Sequence, residues 1–380
     1  MNKFAFVNHY LTTDFLNDVP FLSAISQSKR KWLVSKLPPY KYMYLRPVIS
    51  AIGTRAIGLG VICPLLPEHF VTLTSQQVFR KILTAARVGE KFGAKIIGLG
   101  GFTSIFGNEG EEIAQDLSVA VTSGNTYTAV LAVEGILKAA ATLGLELRDS
   151  QLAIIGATGD IGSICTKILA RKVKQLILAA RNEKRLQEFA DTIVGQNSCD
   201  IRISRHVSDV VKQADIILTA TSAITTIIDV HDPRPGSIVC DVSYPANVAK
   251  DVLRKRNDVF VFEGGLATWP YCDQLEQKER LRRFCPPGTV HGCLAETMLL
   301  ALEGKFVDFS IGRGRITFDR FEEMSSLAKK HGFGLAPFQY GSLVYDEKRI
   351  NAIRQIRLTS RRSPKAVIVP RVTVGVKQEW

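Results

Sequence analysis

The chain has 380 residues, of which 46% are hydrophobic and 22% are charged, and this ordinary composition excludes disordered and fibrous proteins. Its net charge is +13, and segment 346–380 supplies +6 of it from nine basic and three acidic residues. This charge fits nucleic acid, an anionic membrane, an acidic protein partner or a solvated basic surface. Apolar runs are too short for a membrane-spanning helix, and seven scattered cysteines predict a reducing cytoplasmic location.

Residues 1–50 show few clear hydrophobic periods, and Pro38, Pro39 and Pro47 interrupt them. The first clear pattern lies at 76–92, where apolar residues recur at helical spacing. A short apolar strand at 95–99 then leads into a glycine-rich loop at 100–104. Residues 126–143 are predicted to form a long apolar helix that ends at a glycine.

From residue 150 onward, short apolar runs alternate with helical patterns. The runs lie at 151–155, 175–179, 215–219, 237–242 and 259–262. This alternation predicts a parallel sheet covered by helices on both faces. We therefore predict an N-terminal substrate domain, a nucleotide-binding domain, a C-terminal helical segment and a basic tail, at 1–149, 150–290, 291–345 and 346–380.

The sharpest motif is Gly156-Ala157-Thr158-Gly159-Asp160-Ile161-Gly162, which follows a predicted strand and opens a predicted helix. In a dinucleotide fingerprint the first glycine permits a tight turn, the second lets the backbone approach the pyrophosphate, and the third lets helix and strand pack closely. The helix N-terminus offers free N–H groups to phosphate. The predicted cofactor-binding residues of this turn are Gly156, Thr158, Gly159, Asp160, Ile161 and Gly162.

The tip of the second strand indicates which dinucleotide binds. An acidic residue there usually holds the ribose hydroxyls of NAD, whereas arginine accommodates the 2′-phosphate of NADP. This chain has Arg181 and Asn182 at that position and no acidic residue. We therefore predict NADPH, with Arg181 and Asn182 as cofactor-binding residues; the alternative is that Arg181 is only a surface charge.

Cys293 is the best candidate for a reactive side chain. It lies at the start of an apolar helix in His291-Gly292-Cys293-Leu294-Ala295-Glu296-Thr297. A helix N-terminus lowers the pKa of a thiol and so favours the nucleophilic thiolate. A buried structural cysteine remains the alternative at this point. The cysteines and histidine between 272 and 293 lack the spacing of a zinc site, so we predict no metal.

Several segments together resemble the long-chain acyl-(acyl-carrier-protein) reductases of cyanobacteria, which make fatty aldehydes for alkane synthesis. The resemblance covers about Phe4 to Pro337. Its most specific segments are Gly100-Gly101-Phe102-Thr103-Ser104-Ile105, Gly124-Asn125-Thr126-Tyr127-Thr128-Ala129 and Cys293-Leu294-Ala295-Glu296-Thr297-Met298-Leu299-Leu300. Residues 29–60 and 286–292 match poorly, and the tail beyond Tyr345 has no counterpart.

The resemblance implies an α/β fold, with a Rossmann-type doubly wound parallel sheet domain, an N-terminal α/β substrate domain and C-terminal helices. It implies that Cys293 accepts the acyl group, that NADPH is the reductant, and that an acidic acyl carrier protein delivers the fatty acyl thioester. An enzyme that consumes the aldehyde is a further partner. His291 is the candidate proton donor, with helix capping as the alternative, and His9 and Tyr127 are weaker candidates.

Two other functions remain open on the sequence. One is an NADP-dependent dehydrogenase of a small hydroxy or keto acid, similar to shikimate dehydrogenase, which needs no thiol. The other is a non-catalytic NADP-binding module that docks a carrier protein. Nucleic-acid binding is disfavoured, since the basic tail carries no recognised motif and contains alternating valines.

Overall fold

The computed structural model describes residues 1–13, 25–194, 199–249, 251–271 and 285–360. The chain forms two compact units, and each unit is made of two segments. Unit 1 contains Met1–Thr128 and Leu266–Ala336, and unit 2 contains Ala129–Gly265 and Pro337–Trp380. The four consecutive segments named above follow chain order, and that division stays a prediction. Most of the basic tail, residues 361–380, lies outside the described residues.

The strands are numbered in chain order. They are β1 Asn2–His9, β2 Tyr40–Ile49, β3 Arg55–Cys63, β4 Ile96–Leu99, β5 Ala120–Thr122, β6 Gln151–Ile155, β7 Gln175–Ala179, β8 Asp200–Ser204, β9 Ile216–Thr219, β10 Ile238–Asp241, β11 Phe260–Glu263, β12 Leu266–Thr268, β13 Val290–His291, β14 Gly334–Leu335, β15 Gln339–Tyr340 and β16 Leu343–Val344. Every predicted strand is confirmed to within two residues at each end, whereas β1 to β3, β5, β8 and β12 to β16 were not predicted.

The helices are numbered in the same way. They are α1 Gln27–Lys36, α2 His69–Thr72, α3 Ser75–Lys91, α4 Phe106–Glu109, α5 Glu111–Gln115, α6 Asn125–Thr142, α7 Asp160–Leu169, α8 Glu183–Val194, α9 Val207–Gln213, α10 Val252–Lys255, α11 Gly292–Glu303, α12 Phe318–His331 and α13 Glu347–Ser360, with 3-10 turns at Gly101–Ser104 and Leu147–Asp149. The helices predicted at 76–92 and 126–143 are confirmed as α3 and α6.

Unit 1 is built on a five-stranded sheet in the order β2-β3-β1-β4-β5. Strand β2 is antiparallel to β3, and the other neighbours are parallel. The middle of β1 is fully apolar because the strand is buried on both faces, so it shows no alternation. Pro47 is tolerated in β2 because this strand is at the sheet edge and its register shifts between Leu45 and Val48. These features explain why residues 1–50 show no clear period.

Two helices pack on this sheet at positions where a glycine leaves no room for a Cβ. Helix α3 begins with a capping box between Thr74 and Gln77. A Cβ added to Gly89 of α3 would lie 2.5 Å from the Ala5 Cβ. A Cβ added to Gly98 of β4 would overlap the Thr297 hydroxyl of α11. The sheet therefore holds α11, which carries Cys293, against the middle strands of unit 1.

Unit 2 contains a six-stranded sheet in the order β11-β10-β9-β6-β7-β8. All its neighbouring strands are parallel. Numbered from β6, the order is 3-2-1-4-5-6, which is the doubly wound order of a Rossmann domain. The α/β fold with a Rossmann-type parallel sheet is thus confirmed. The sheet order also places the turn after β6 at the point where ligands bind in such domains.

Candidate functional site

The glycine turn of unit 2 joins β6 to α7, as predicted. Gly156 has a φ of +85°, and a Cβ there would overlap the carbonyl of Ala220. A Cβ on Gly162 would overlap the carbonyl of Gly156. The first and third glycines are therefore required by the tight turn and by the packing of helix on strand.

Gly159 is different, because the protein itself does not require a glycine there. Its φ is −81°, and a Cβ would lie 3.4 Å from the Gly156 carbonyl oxygen and 3.9 Å from the Ala220 carbonyl oxygen. Gly159 is the N-cap of α7 and, as a glycine, supplies no side chain to cap the first turn, which suits a helix N-terminus that receives an anion. The turn therefore fits the pyrophosphate of a dinucleotide.

The other residues predicted in this turn differ in exposure. Thr158 and Ile161 are partly exposed, whereas Asp160 is buried. The Arg185 guanidinium, in α8, donates a hydrogen bond of 2.8 Å to the Thr158 carbonyl oxygen and so supports the glycine turn. Contact of these residues with a cofactor stays a prediction.

Arg181 and Asn182 lie directly after β7. Arg181 is exposed and makes no hydrogen bond or ion pair within the described residues. The Asn182 side chain accepts a hydrogen bond of 3.0 Å from the Arg185 N–H and thereby begins α8. The nearest acidic residue along the chain, Glu183, pairs with Arg205 at 3.2 Å. The strand tip thus presents a free cation.

Cys293 lies in unit 1, in the first turn of α11. The N-cap residue is His291, whose side chain makes no cap hydrogen bond. Gly124, at the end of β5, has a φ of +74°, and a Cβ there would overlap the Cα and Cβ of Cys293. The backbone N–H groups of Leu294 and Gly101 act on the thiol and lower its pKa. The predicted loops at 100–104 and 124–128 therefore do border Cys293.

The expected lowering of the Cys293 pKa is wrong for the free protein. Burial raises the pKa of the Cys293 thiol to about 12, and the charges of Cys285 and Glu296 act in the same direction. The hydrogen bonds from Leu294 and Gly101 lower this pKa, but their effect is smaller than that of burial. Although the residue keeps partial exposure, the free protein holds it as the thiol at neutral pH.

His9 does not suit the proposed role of proton donor. Its ring is buried, and its Nδ1 is 2.9 Å from the Tyr10 carbonyl oxygen, whereas its Nε2 accepts a hydrogen bond of 3.0 Å from the Phe102 N–H. Both contacts fit a neutral ring protonated on Nδ1. Burial lowers the pKa of His9 to about 4. His9 therefore holds the 3-10 turn at Gly101–Ser104 through the Phe102 N–H.

His291 and Tyr127 belong to unit 1, as Cys293 does, and only His291 is also close to Cys293 in the sequence. His291 is partly exposed and belongs to β13, which pairs with Leu266 of β12. Tyr127 is buried, and its backbone N–H donates to Glu296. Proton donation by His291 stays a prediction.

The amino-acid sequence is similar to a family model and to a longer curated protein. The family model of shikimate/quinate 5-dehydrogenase matches residues 138–263, which include the glycine turn. The aminotransferase PigE of Serratia sp. is 26% identical over 363 residues, and this match covers 93% of the chain but only 42% of PigE. The chain therefore spans less than half the length of that relative.

A second curated relative decides the family. The long-chain acyl-(acyl-carrier-protein) reductase of Synechococcus elongatus is 30% identical over 296 residues, which are 75% of this chain and 84% of the reductase. The chain belongs to the long-chain acyl-(acyl-carrier-protein) reductase family. It is related to NAD(P)-dependent oxidoreductases, and unit 2 is its NAD(P)-type nucleotide-binding domain.

Solved structures are similar to this family member only at low sequence identity and low TM-score. The L-tryptophan dehydrogenase from Nostoc punctiforme has a TM-score of 0.37 and 12% identity, and the match covers 96% of this chain and 89% of that chain. The shikimate 5-dehydrogenase from Listeria monocytogenes, in complex with shikimate and NAD, has a TM-score of 0.31 and 11% identity, covering 64% and 79%. The strand order, rather than these overlaps, defines the fold of unit 2.

Glu296 is a site residue that the sequence analysis of this family member missed. It lies one turn after Cys293 in α11 and is fully buried. Its carboxylate accepts hydrogen bonds from the Thr122 hydroxyl, the Ser310 hydroxyl at 2.7 Å and the Tyr127 N–H at 2.7 Å. An acid in the middle of a largely apolar helix was the available signal, because a buried carboxylate must have partners.

The described residues contain no group of three His, Cys, Asp or Glu side chains placed to hold a metal ion. None of the helices among them combines the length and the hydropathy that crossing a membrane requires.

Proposed function

We propose that this chain reduces a long-chain fatty acyl thioester, carried on acyl carrier protein, to the fatty aldehyde with NADPH. The observation that carries the proposal is the position of Cys293. It lies in the first turn of α11, packed closely on Gly124, and the backbone N–H groups of Leu294 and Gly101 lower the pKa of its thiol. The relative from Synechococcus elongatus, which bears this activity in its name, supports the choice of substrate.

In the first step, the Cys293 sulfur attacks the thioester carbonyl carbon. The new bond joins the sulfur to the acyl carbon, and the bond to the carrier sulfur breaks. The thiol proton leaves Cys293 and ends on the departing carrier thiol. Backbone N–H groups at the start of α11 stabilise the oxyanion, an effect worth roughly 3–4 kcal/mol where one such donor was removed.

In the second step, the acyl group on Cys293 is reduced. When bound, the nicotinamide supplies a hydride to the acyl carbon. The resulting thiohemiacetal on Cys293 takes up one proton overall as it collapses, and it releases the aldehyde and the free thiol. His291, the N-cap residue of α11, is the proposed proton donor. Division into two steps lets one thiol serve both acyl transfer and release.

The positive net charge of the chain supports an acidic carrier protein as its partner. An acyl carrier protein is acidic, and a chain with a net charge of +13 attracts such a partner at long range. A second enzyme that consumes the aldehyde is the proposed downstream partner. The cytoplasm, as the proposed location, keeps a thiol such as Cys293 reduced.

The preference for NADPH rests on Arg181 and gives a test of its own. Replacing Arg181 by alanine is expected to weaken NADPH binding about tenfold, since an exposed charge pair with the 2′-phosphate is worth roughly 1 kcal/mol or somewhat more. NADH binding should change little. Titration of intrinsic fluorescence with each cofactor measures both constants. Lys172→Ala, an exposed charge at the opposite end of β7, is the matched control. Equal losses for both cofactors would remove the basis for NADPH.

The match to the shikimate/quinate 5-dehydrogenase model favours one second candidate, a dehydrogenase of a small hydroxy or keto acid. That match is limited to residues 138–263 and so does not include Cys293. The two candidates differ in their need for a thiol. A dehydrogenase of this kind would remain active after complete alkylation of Cys293, whereas the proposed reductase would lose activity.

The decisive experiment omits the cofactor. Purified protein is mixed with palmitoyl-(acyl-carrier-protein) and no NADPH, and intact mass is recorded over time. We expect one palmitoyl group per chain, located by peptide mapping on Cys293 and not on the nearby Cys285. Subsequent addition of NADPH should remove the adduct and yield one equivalent of hexadecanal. If aldehyde forms with NADPH while the adduct never appears on Cys293, the covalent mechanism is wrong.

A further inference from the structure

A buried carboxylate links the helix that carries Cys293 to the start of another helix. Glu296 Oε2 accepts a hydrogen bond of 2.7 Å from the Tyr127 N–H. The neighbouring Thr126 N–H donates at 3.3 Å to the Ser310 hydroxyl, which itself donates to Glu296. Both N–H groups belong to the first turn of α6, where they have no partner within the helix. Glu296 therefore caps α6 with a negative charge supplied from α11, which the helix dipole favours.

The same carboxylate also holds two hydroxyls. Its Oε1 accepts from Ser310, at 2.7 Å, and from Thr122. The Thr122 hydroxyl accepts a hydrogen bond of 3.2 Å from the Gly124 N–H. The Ser310 hydroxyl is 2.5 Å from the Thr126 hydroxyl. Residues on both sides of Gly124 are thus tied to one side chain of α11.

Gly124 is the point at which this network reaches the nucleophile. Its backbone packs so closely on Cys293 that there is no room for a Cβ. A displacement of the loop between β5 and α6 would therefore either press on Cys293 or leave a gap beside it. A fixed loop confines the thiol to one position, and small misplacements of a reacting atom are costly in enzymes.

We propose that Glu296 is a positioning residue for Cys293, which holds the β5–α6 loop against the nucleophile through the reach of its carboxyl group. The role of Cys293 as nucleophile rests on the function proposed above. The position of the thiol does not depend on that function, and it can be measured without any acyl substrate.

Two substitutions of Glu296 distinguish the effect of its side-chain length from the effect of its charge. Glu296→Gln keeps the length of the side chain; its oxygen can accept from Tyr127, and its amide can donate to the two hydroxyls, which also accept. Glu296→Asp keeps the charge but shortens the side chain by one methylene group. If Glu296 positions the loop, the Gln variant should form the acyl-enzyme within about threefold of the native rate, whereas the Asp variant should lose roughly 100-fold in kcat with little change in KM.

Alkylation of Cys293 by iodoacetamide gives a second readout that needs no acyl substrate. Glu296 and Cys285 are the titratable groups that raise the pKa of this thiol, while the Leu294 and Gly101 N–H groups lower it. Removal of the Glu296 charge in the Gln variant should shift the pH profile of alkylation downward, because that charge raises the pKa of the thiol. In the Asp variant the profile should stay near the native pH, with a changed limiting rate because the thiol is displaced.

The outcomes are distinct. An inactive Gln variant with an active Asp variant would mean that the charge, and not the reach, matters, and the proposal would fail. Equal loss in both variants, with an unshifted alkylation profile and a lowered melting temperature, would show a role in stability only and would also overturn it. If no acyl-enzyme forms even in the native chain but the alkylation results hold, the proposed function fails and the positioning role stands.

Discussion

Replacement of Cys293 by alanine is expected to lower the rate of acyl thioester reduction by roughly 10³-fold or more, the scale seen when the nucleophile of a covalent enzyme is removed. The alanine has no atom that can accept the acyl group. Direct hydride attack on the thioester would then lack both the covalent intermediate and its positioning. NADPH-dependent formation of aldehyde from palmitoyl-(acyl-carrier-protein), followed by gas chromatography, measures the loss.

Serine at this position sharpens the experiment. Its hydroxyl is close to the thiol in size, so the contact with Gly124 is retained, but it is a much weaker nucleophile than a thiol at neutral pH. Cys293→Ser should therefore fold as the native chain does and still lack the acyl-enzyme. Cys285→Ala, at a second buried cysteine, is the control that should keep most of the activity.

Binding of the nucleotide gives a further control for the Cys293 variants. The glycine turn belongs to unit 2, whereas Cys293 belongs to unit 1. The dissociation constant for NADPH should therefore be unchanged in both Cys293 variants. If Cys293→Ala kept more than a tenth of the native rate, hydride would be reaching the thioester carbonyl directly, and the acyl-enzyme would not be an obligatory intermediate.

The nucleotide-binding unit was predictable because its signals are local. Each strand of a parallel sheet covered on both faces is a short apolar run, and the glycine turn stands between one such run and a helix. Strand β8 was missed because its sequence, Asp200–Ser204, alternates polar and apolar residues at the edge of the sheet. A partly exposed edge strand resembles a loop in composition.

The organisation of unit 1 depends on contacts distant in sequence, so the sequence could not provide it. Segment 266–336 belongs to the same unit as residues 1–128, and α11 packs on β4 through the contact of Thr297 with Gly98. Nothing in either segment alone indicates that they meet. The fold class followed from local pattern, whereas the placement of α11 required the three-dimensional structure.

The candidate site likewise contains features that local sequence predicted and features that it could not predict. Cys293 was found from its position at a helix start, and the two glycine loops were correctly expected to border it. The direction of its pKa shift was wrong, because burial outweighs the hydrogen bonds of the helix start. His9 was considered for its chemistry, yet its two ring contacts make it a support for the 3-10 turn. Burial and hydrogen-bond partners decide such roles, and a sequence contains neither.

The second large effect is expected at Gly159. Its replacement by alanine should weaken NADPH binding by roughly 5- to 150-fold, the equivalent of about 1–3 kcal/mol for an added methyl group in a filled site. The reason is that the methyl group would occupy the space through which the pyrophosphate approaches the backbone. Fluorescence titration with NADPH measures the affinity, and thermal unfolding without cofactor measures the stability of the variant.

Comparison with the neighbouring glycines distinguishes a binding effect from a folding effect. A Cβ on Gly159 would meet the protein at 3.4 Å or more, whereas a Cβ on Gly156 or Gly162 would overlap a backbone carbonyl. Gly159→Ala should therefore unfold at nearly the native temperature without cofactor, while Gly162→Ala should be strongly destabilised. A Gly159→Ala variant that bound NADPH as the native chain does would show that the dinucleotide does not contact this turn, because no other property of the protein requires a glycine there.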